Sequence, residues 1–197
     1  MTQNKNGFAL KIAVTGGIGS GKSTVCNIIK EAGYPVFSCD EIYKAIQTDP
    51  SFLHTMTEAF GDVVKDGSLD REKISDLVFS DRSMLEKLNA ITHPLIMERL
   101  YGHMEKYPVA FAEVPLLFEE GRQDDFDDVI VVMRKKAERI SSVIDRDNTT
   151  AEKIENRIKN QINYEKIDLS AHTVIYNDGD LPSLKQKVLQ AIEKIIH

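Results

Sequence analysis

Residues 16–23 of the chain, GGIGSGKS, match the pattern G-x-x-x-x-G-K-[ST] and constrain the fold more than any other segment. An apolar run from Phe8 to Val14 precedes this motif, and an amphipathic stretch from Lys22 to Ala32 follows it and ends at Gly33. Glycines allow backbone N–H groups to converge on a phosphate, and a helix N-terminus favours an anion. The sequence therefore predicts a strand, a phosphate-binding loop and a helix, in that order.

The motif also predicts the ligands of this loop. We expect Lys22 to reach the β- and γ-phosphates of ATP and to act in catalysis, and the Ser23 hydroxyl to ligate Mg²⁺. The residues predicted to contact ATP here are Gly17, Ile18, Gly19, Ser20, Gly21, Lys22, Ser23 and Thr24. ATP and Mg²⁺ are thus the predicted phosphoryl donor and cofactor.

Short apolar runs alternate with longer amphipathic stretches along the rest of the chain. Further strands are predicted at Tyr34–Phe37, Val109–Val114, Val129–Met133 and Thr173–Tyr176, and Pro182 opens a C-terminal helix whose apolar stripe is Leu184, Val188, Ile192 and Ile195. This alternation is typical of an α/β fold of the P-loop NTPase type, with a mainly parallel sheet flanked by helices.

Two helical segments separate the predicted strands. Between Glu41 and Tyr107 strand-like runs give way to helical spacing, punctuated by Asp66-Gly67 and His93-Pro94. One helix face there is predicted to carry Met84, Leu85, Leu88 and Ile91. The second segment, from Lys135 to Tyr164, is rich in Lys and Arg. Within it, Thr149 and Glu152 have the spacing of a capping box, which predicts the start of a helix.

These patterns predict three parts. Residues 1–40, 108–134 and 165–197 form a nucleotide-binding core, residues 41–107 a helical acceptor-binding subdomain, and residues 135–164 a lid. Basic side chains of a lid can close over a transferring phosphoryl group, although a solvated helix face also explains such a run.

Composition limits the partners. The chain has 25 Lys and Arg against 31 Asp and Glu, a formal charge of −6, which argues against a protein that coats nucleic acid or an anionic membrane. Its first residues, MTQNKNG, are polar, and no apolar run approaches membrane-spanning length, so a soluble cytoplasmic protein is predicted. Cys26 and Cys39 lack metal or disulfide spacing and are predicted to be small buried residues.

A phosphate loop serves several classes of protein. No Asn/Thr-Lys-x-Asp guanine reader occurs in the later half of the chain, and no Leu-Ser-Gly-Gly signature of transport ATPases is present. A small-molecule kinase fits best. The acceptor of such a kinase can be a small metabolite or a nucleoside phosphate. A nucleotide-dependent binding module without turnover is the alternative that is not an enzyme.

Asp40 is the candidate base. It follows the second predicted strand in VFSCDEIYK, so we expect it at the carboxyl edge of the sheet, beside the phosphate loop. A carboxylate there can accept a hydrogen bond from an attacking hydroxyl or help to hold the metal. Alternatively, Asp40 only caps the N-terminus of the next helix.

Eight segments occur in a characteristic order. They are TGGIGSGKST from Thr15, VFSCDEI around Asp40, FGDVVKDGSLDREKISDLVF from Phe60, HPLI from His93, VPLLFE from Val114, the pair Arg146-Asp147, Gln161, and Asn177-Asp178-Gly179. In this order and spacing the chain resembles the dephospho-coenzyme A kinase family over nearly its whole length. The resemblance implies transfer of the ATP γ-phosphate to the ribose 3′-hydroxyl of dephospho-coenzyme A, the final step of coenzyme A biosynthesis.

The resemblance also implies roles for individual residues. Asp40 becomes the general base, and ATP is contacted by Arg146, Asn177 and Gly179 as well as the loop. Dephospho-coenzyme A, the other small-molecule partner, is contacted by Thr15, Asp40, Arg71 and His93, although a structural role at a helix entrance is equally open for His93.

Two positions depart from the family pattern. The chain has Ser38-Cys39-Asp40 where the family usually has Asp-Ala-Asp, which removes a metal role at residue 38 but not the role of Asp40. Ser142 stands where a lid arginine is common. Arg139 lies three residues earlier on nearly the same helical face, and we predict that it supplies the catalytic guanidinium.

Overall fold

The computed structural model describes residues 9–147, 150–159 and 161–197, and Phe8 and Thr149 therefore lie outside the described residues. Its elements are β1 (Leu10–Thr15), α1 (Lys22–Glu31), β2 (Val36–Ser38), α2 (Cys39–Ile46), α3 (Pro50–Phe60), β3 (Val64–Lys65), β4 (Ser68–Leu69), α4 (Arg71–Ser80), α5 (Arg82–Met104), β5 (Val109–Glu113), β6 (Asp128–Met133), α6 (Lys136–Asp147), α7 (Ala151–Lys159), β7 (Thr173–Tyr176) and α8 (Leu181–Ile196). The chain divides into two compact units, with unit 2 formed by Ser38–His103 and unit 1 by the described residues on either side of it.

A five-stranded sheet with the order β2-β5-β1-β6-β7 is the frame of unit 1. Strand β1 runs parallel to both β5 and β6, and β6 runs parallel to β7. Ile12 lies opposite Phe111 on one side and Asp128 on the other. The predicted α/β fold with a mainly parallel sheet is confirmed.

The core of unit 1 follows from the alternation of side chains along each strand. Alternate residues of β1, β5 and β6 share one cluster with apolar residues of α1 and α8, namely Ile12, Val14, Val109, Phe111, Ile130, Val132, Val25, Ile29, Leu184, Val188 and Ile192. Ile195 of the predicted α8 stripe is only partly buried against this cluster. The cluster therefore packs α1, the helix at the end of the phosphate loop, against the central strands.

Unit 2 is mainly helical, as the sequence predicts, but it also contains two short strands that the sequence analysis did not predict. Strands β3 and β4 pair in an antiparallel hairpin, with Val64 opposite Leu69. Asp66 and Gly67 at its turn both have positive φ, 51° and 73°. Asp-Gly suits such a two-residue turn, but strands of two residues are too short to show alternation in the sequence.

Two predictions that concern helix α5 are wrong. It runs through His93 and Pro94, so His93 does not stand at a helix entrance. Leu85 is 41% exposed, whereas Leu88 is buried and Met84 and Ile91 are half-buried. At 100° per residue Leu85 lies well away from the face shared by the other three.

The two cysteines differ in environment. Cys26 is buried in the core of unit 1, and burial raises the pKa of its thiol to about 12. Cys39 is only half-buried, contrary to the prediction, because it begins α2 rather than facing a core.

None of the described helices is long and apolar enough to cross a bilayer.

Candidate active site

The phosphate loop, residues 16–23, follows β1 and includes the first residues of α1, and its glycines Gly16, Gly19 and Gly21 have positive φ. Gly19 and Gly21 have φ values of 75° and 96°, which favour glycine over any residue with a side chain. Helix α1 begins at Lys22, and its N-cap Gly21 provides no side-chain cap. The first turn also contains no acidic residue. In contrast, α3, α4 and α8 are capped by aspartates. The N-terminal N–H groups of α1 are thus not occupied by a capping side chain, as a phosphate-binding helix requires.

The Lys22 side chain lies against the glycines at the start of the phosphate loop. Its ammonium donates to the carbonyl oxygens of Gly16 at 2.8 Å and Gly17 at 3.3 Å. The charge is therefore held beside the loop, where it can bind phosphate oxygens, as its position in the motif predicts.

The Ser23 hydroxyl donates to Oε1 of Glu113 at 3.1 Å. Glu113 is the last residue of β5, and β5 neighbours β1, so the sheet brings this carboxylate to the helix N-terminus. Hydroxyl and carboxylate oxygens are hard donors that suit Mg²⁺, so Ser23 and Glu113 fit the predicted metal. Sequence reasoning missed Glu113. The available signal was an acidic residue directly after a buried apolar strand.

Helix α6 of the predicted lid contacts the phosphate loop directly. The Arg139 guanidinium donates through Nε to the carbonyl oxygen of Ile18 at 2.8 Å, and a side chain at Gly17 would collide with this guanidinium. Burial lowers the pKa of Arg139 from its usual value. Ser142 also contacts the loop, donating to the carbonyl oxygen of Gly19 at 3.3 Å. The structure therefore brings Arg139 to the loop.

The segment after α7 contacts the same loop from further along the chain. The backbone N–H of Ile18 donates to Oε1 of Gln161 at 2.8 Å. The hydroxyls of Thr15 and Tyr164 lie 3.4 Å apart and are buried. Burial raises the pKa of Tyr164 to about 12, so it is a neutral phenol at physiological pH. Sequence reasoning did not identify Tyr164, because its pairing with Thr15 depends on the fold.

Asn177 lies at the other end of the loop. Its side-chain amide donates to the carbonyl oxygen of Ser20 at 2.9 Å, and a side chain at Gly21 would collide with it. Gly179 follows in the exposed connection before α8. Asn177 therefore supports the loop as well as lying where the resemblance places an ATP contact.

Arg146, at the C-terminal end of α6, shares a groove with the loop. The groove measures about 230 Å³ and is lined by Gly19, Gly21, Lys22, Ser23, Thr24, Arg134, Ser142, Val143 and Arg146. Arg146 forms a two-point ion pair with Asp147, at 2.7 and 3.0 Å, and remains largely exposed. The structure thus places the predicted ATP contact Arg146 beside the loop.

The acceptor candidates are divided between the units. Asp40 and Arg71 line one groove of unit 2, of about 360 Å³, whereas His93 is not among its lining residues. Thr15 belongs to unit 1 and is fully buried. The N-cap position of α2 is Ser38, and Asp40 is the second residue of the helix. The alternative that Asp40 only caps this helix is therefore wrong.

Comparison with known proteins agrees with this geometry. The family model described as CoaE, dephospho-CoA kinase, matches residues 10–183. A dephospho-CoA kinase of Fusobacterium nucleatum is 36% identical over 188 residues, which cover 93% of this chain and 97% of that protein.

Solved structures agree as well. The Thermus thermophilus protein TT1252 has a TM-score of 0.85 at 31% identity, covering 96% of this chain and 99% of its own. A dephospho-CoA kinase from Campylobacter jejuni has a TM-score of 0.70 at 26% identity, covering 94% of this chain and 96% of its own. Because the family model and the relatives match nearly the whole chain, the chain belongs to the dephospho-CoA kinase family.

Proposed function

We propose that this protein transfers the γ-phosphoryl group of ATP to the ribose 3′-hydroxyl of dephospho-coenzyme A, giving coenzyme A and ADP in the cytoplasm, as the final step of coenzyme A biosynthesis. The observation that carries the proposal is the phosphate loop with its uncapped α1 N-terminus and Lys22 ammonium, in a chain of this family. Both substrates are small molecules, and nucleic acid and membrane have no part in the reaction.

The donor side is formed by unit 1. Loop N–H groups and the α1 N-terminus bind the phosphates, and Lys22 moves from the loop carbonyls to the β- and γ-phosphate oxygens. Ser23 and Glu113 would hold Mg²⁺, which supplies neutralisation of phosphate charge when bound. Arg146, Asn177 and Gly179 contact the rest of ATP. Arg139, on α6 of the lid (residues 135–164), stabilises the transferring group from beside Gly17.

The acceptor side is assigned to Asp40, Thr15, Arg71 and His93, with residues 41–107 as the acceptor-binding subdomain. Asp40 is exposed and has no hydrogen bond or ion pair from its side chain within the described residues, so its carboxylate can accept the acceptor hydroxyl. The ribose 3′-oxygen bonds to the γ-phosphorus, the bond from that phosphorus to the ADP oxygen breaks, and the hydroxyl proton passes to Asp40. Because the transition state is loose, Asp40 mainly orients the hydroxyl.

A panel of acceptors tests this proposal. The protein is incubated with ATP, Mg²⁺ and, separately, dephospho-coenzyme A, nucleoside monophosphates, shikimate or pantothenate. We expect mass spectrometry to detect 3′-phosphorylated product only with dephospho-coenzyme A. Preferential turnover of another acceptor would reassign the substrate. ATP binding without ADP release stimulated by any acceptor would indicate a binding module instead.

A further inference from the structure

The groove in unit 2 is formed by the facing residues of two helices and a hairpin. Helix α2 contributes positions 40, 43 and 44, and its C-cap residue contributes position 47; the spacing of three and four residues places these positions on one face. The start of α4 contributes Arg71, Ile74 and Ser75, and Leu69 of β4 completes the groove. Leu69 and Ile74 are buried, so the groove has an apolar base with charged groups along it.

Arg71 is oriented by a buried amide. Oε1 of Gln47 accepts from Nε of Arg71 at 3.0 Å and from one terminal nitrogen at 2.6 Å, and Gln47 is only 3% exposed. The backbone carbonyl oxygen of Gln47 also accepts from the Leu69 N–H at 3.0 Å, which fixes its position. A guanidinium has five N–H donors in a rigid plane, so this contact leaves its terminal edge free to bind a second group.

The positive charge of this groove differs from that of three other basic residues of the unit, which form ion pairs. Arg99, Lys73 and Arg82 of unit 2 pair with Asp49, Asp62 and Glu86 respectively. In the described residues, Arg71 has only the neutral Gln47 as partner, and Lys44 has no hydrogen bond or ion pair from its side chain. Asp40 is the one acidic residue that lines the groove.

We infer that Arg71 and Lys44 bind the diphosphate of the acceptor, with Gln47 as the positioning residue for Arg71. A terminal guanidinium edge matches two phosphate oxygens, and a neutral partner leaves its full charge for the anion. Asp40 lines the same groove, so one face of unit 2 carries both the base for the ribose hydroxyl and the group that anchors the nucleotide. This inference rests on the proposed function, because it names the part of dephospho-coenzyme A that the groove recognises.

Acceptor binding to Arg71→Ala tests the inference. Calorimetric titration of dephospho-coenzyme A is done with ADP present, so that no turnover occurs. Loss of a charged hydrogen-bonding pair should weaken binding about ten- to a hundredfold. Arg82→Ala is the matched control, since it removes the same charge from an exposed position of unit 2. Lys44→Ala is compared in the same way with Lys65→Ala, another exposed lysine of this unit.

Two further measurements separate charge recognition from a structural effect. With adenosine as the acceptor, which lacks the diphosphate, Arg71→Ala should lower acceptor affinity much less than it does with dephospho-coenzyme A, since the lost contact is to the diphosphate. Gln47→Glu keeps an oxygen that accepts from Arg71 but neutralises the guanidinium. It should weaken dephospho-coenzyme A binding while circular dichroism remains unchanged.

Each of the opposite results would reject a stated part of the inference. Equal affinities of Arg71→Ala and Arg82→Ala, or an equal loss with adenosine, would reject the diphosphate site while leaving the kinase activity in place. Full affinity of Gln47→Glu would reject the positioning role. A wild-type protein that neither binds nor phosphorylates dephospho-coenzyme A would overturn the proposed function, and this inference with it.

Discussion

The backbone N–H and carbonyl oxygen of Ile18 both form hydrogen bonds with side chains that are more than 120 residues away in the sequence. Its N–H donates to Gln161 and its carbonyl oxygen accepts from Arg139, each at 2.8 Å. Asn177 holds the Ser20 carbonyl in the same way. The loop therefore depends on side chains of the later half of the chain as well as on its own glycines, and its shape is fixed before a phosphate arrives.

Lys22 gives the most direct test of the phosphate loop. Lys22→Ala should lower kcat about 10²- to 10³-fold, because the ammonium that neutralises phosphate charge is removed. Circular dichroism and the melting temperature should remain near those of the wild type, since Lys22 is not part of the apolar core. Lys30→Ala, in the last turn of the same helix, is the control and should retain activity. Near-normal turnover by Lys22→Ala would reject the assignment.

Arg139 and Ser142 both contact the loop but should differ in importance. Arg139→Ala removes a partly buried cation beside Gly17, so we expect kcat to fall by about 10²-fold. Ser142→Ala removes only neutral hydrogen bonding to the carbonyl oxygens of Arg139 and Gly19, and kcat should change less than about threefold. Steady-state kinetics at saturating ATP and acceptor measure both. Small and equal effects would assign the guanidinium role to Arg146 or another cation.

At the scale of elements, strands with a continuous apolar run were predictable. Strand β7 has the predicted bounds, and β5 and β6 each differ by one residue at one end. Buried parallel strands are rich in apolar and β-branched residues, which leaves a clear signal in the sequence. Pro94 is a weaker guide. Proline predicts a helix boundary, yet α5 continues through it, because tertiary packing can override a local preference.

The residues of the candidate site also divide into those that the local sequence predicts and those that depend on the fold. The roles of Lys22 and Ser23 follow from spacing alone, since neighbouring residues form the loop. Glu113 beside Ser23 and Gln47 beneath Arg71 depend on which elements pack together, and no local pattern encodes those contacts. Position along a strand can indicate such a residue, but its partner becomes visible only in the fold.

The cap of α3 is expected to make unit 2 sensitive to acid. Asp49 accepts hydrogen bonds from Ser51 and from the Phe52 N–H, and it also pairs with Arg99 of α5. The hydrogen bond from Ser51, followed by that from Arg99, holds the pKa of Asp49 well below its usual range. A lowered carboxyl pKa contributes stability that is present above the unfolded value, about 4, and is lost as the pH falls through the folded value.

Asp49→Asn isolates this contribution. The variant keeps an oxygen that can cap α3 but loses the charge that pairs with Arg99. Its melting temperature should lie below that of the wild type by a constant amount from pH 7 to pH 5, and the gap should narrow below about pH 4. Asp124→Asn, at an exposed position, should match the wild type at pH 7. A gap that does not change with pH would show that the charge of Asp49 is unimportant.

For the whole molecule, the net charge of −6 arises within one segment. Residues 113–128 contain seven acidic residues and one arginine. The carboxylates of this segment accept hydrogen bonds from different parts of the chain and do not act together as one acidic surface. Glu113 accepts from Ser23, Glu119 from the Ile162 N–H, and Asp127 from the Lys11 N–H. The acidic balance is therefore compatible with a polyanionic substrate, whose phosphates meet local donors.

This separation of local from overall charge can be measured. The triple variant Glu105→Gln, Asp124→Asn, Glu193→Gln neutralises three exposed acidic residues of unit 1. None of the three lines the groove at the phosphate loop, and salt screens exposed charges, so the KM for ATP should stay within about twofold of the wild type. Arg146→Ala changes the charge by only one, but beside the loop, and should raise this KM several-fold. A large fall in KM for the triple variant would show that overall charge, and not the loop donors, limits ATP binding.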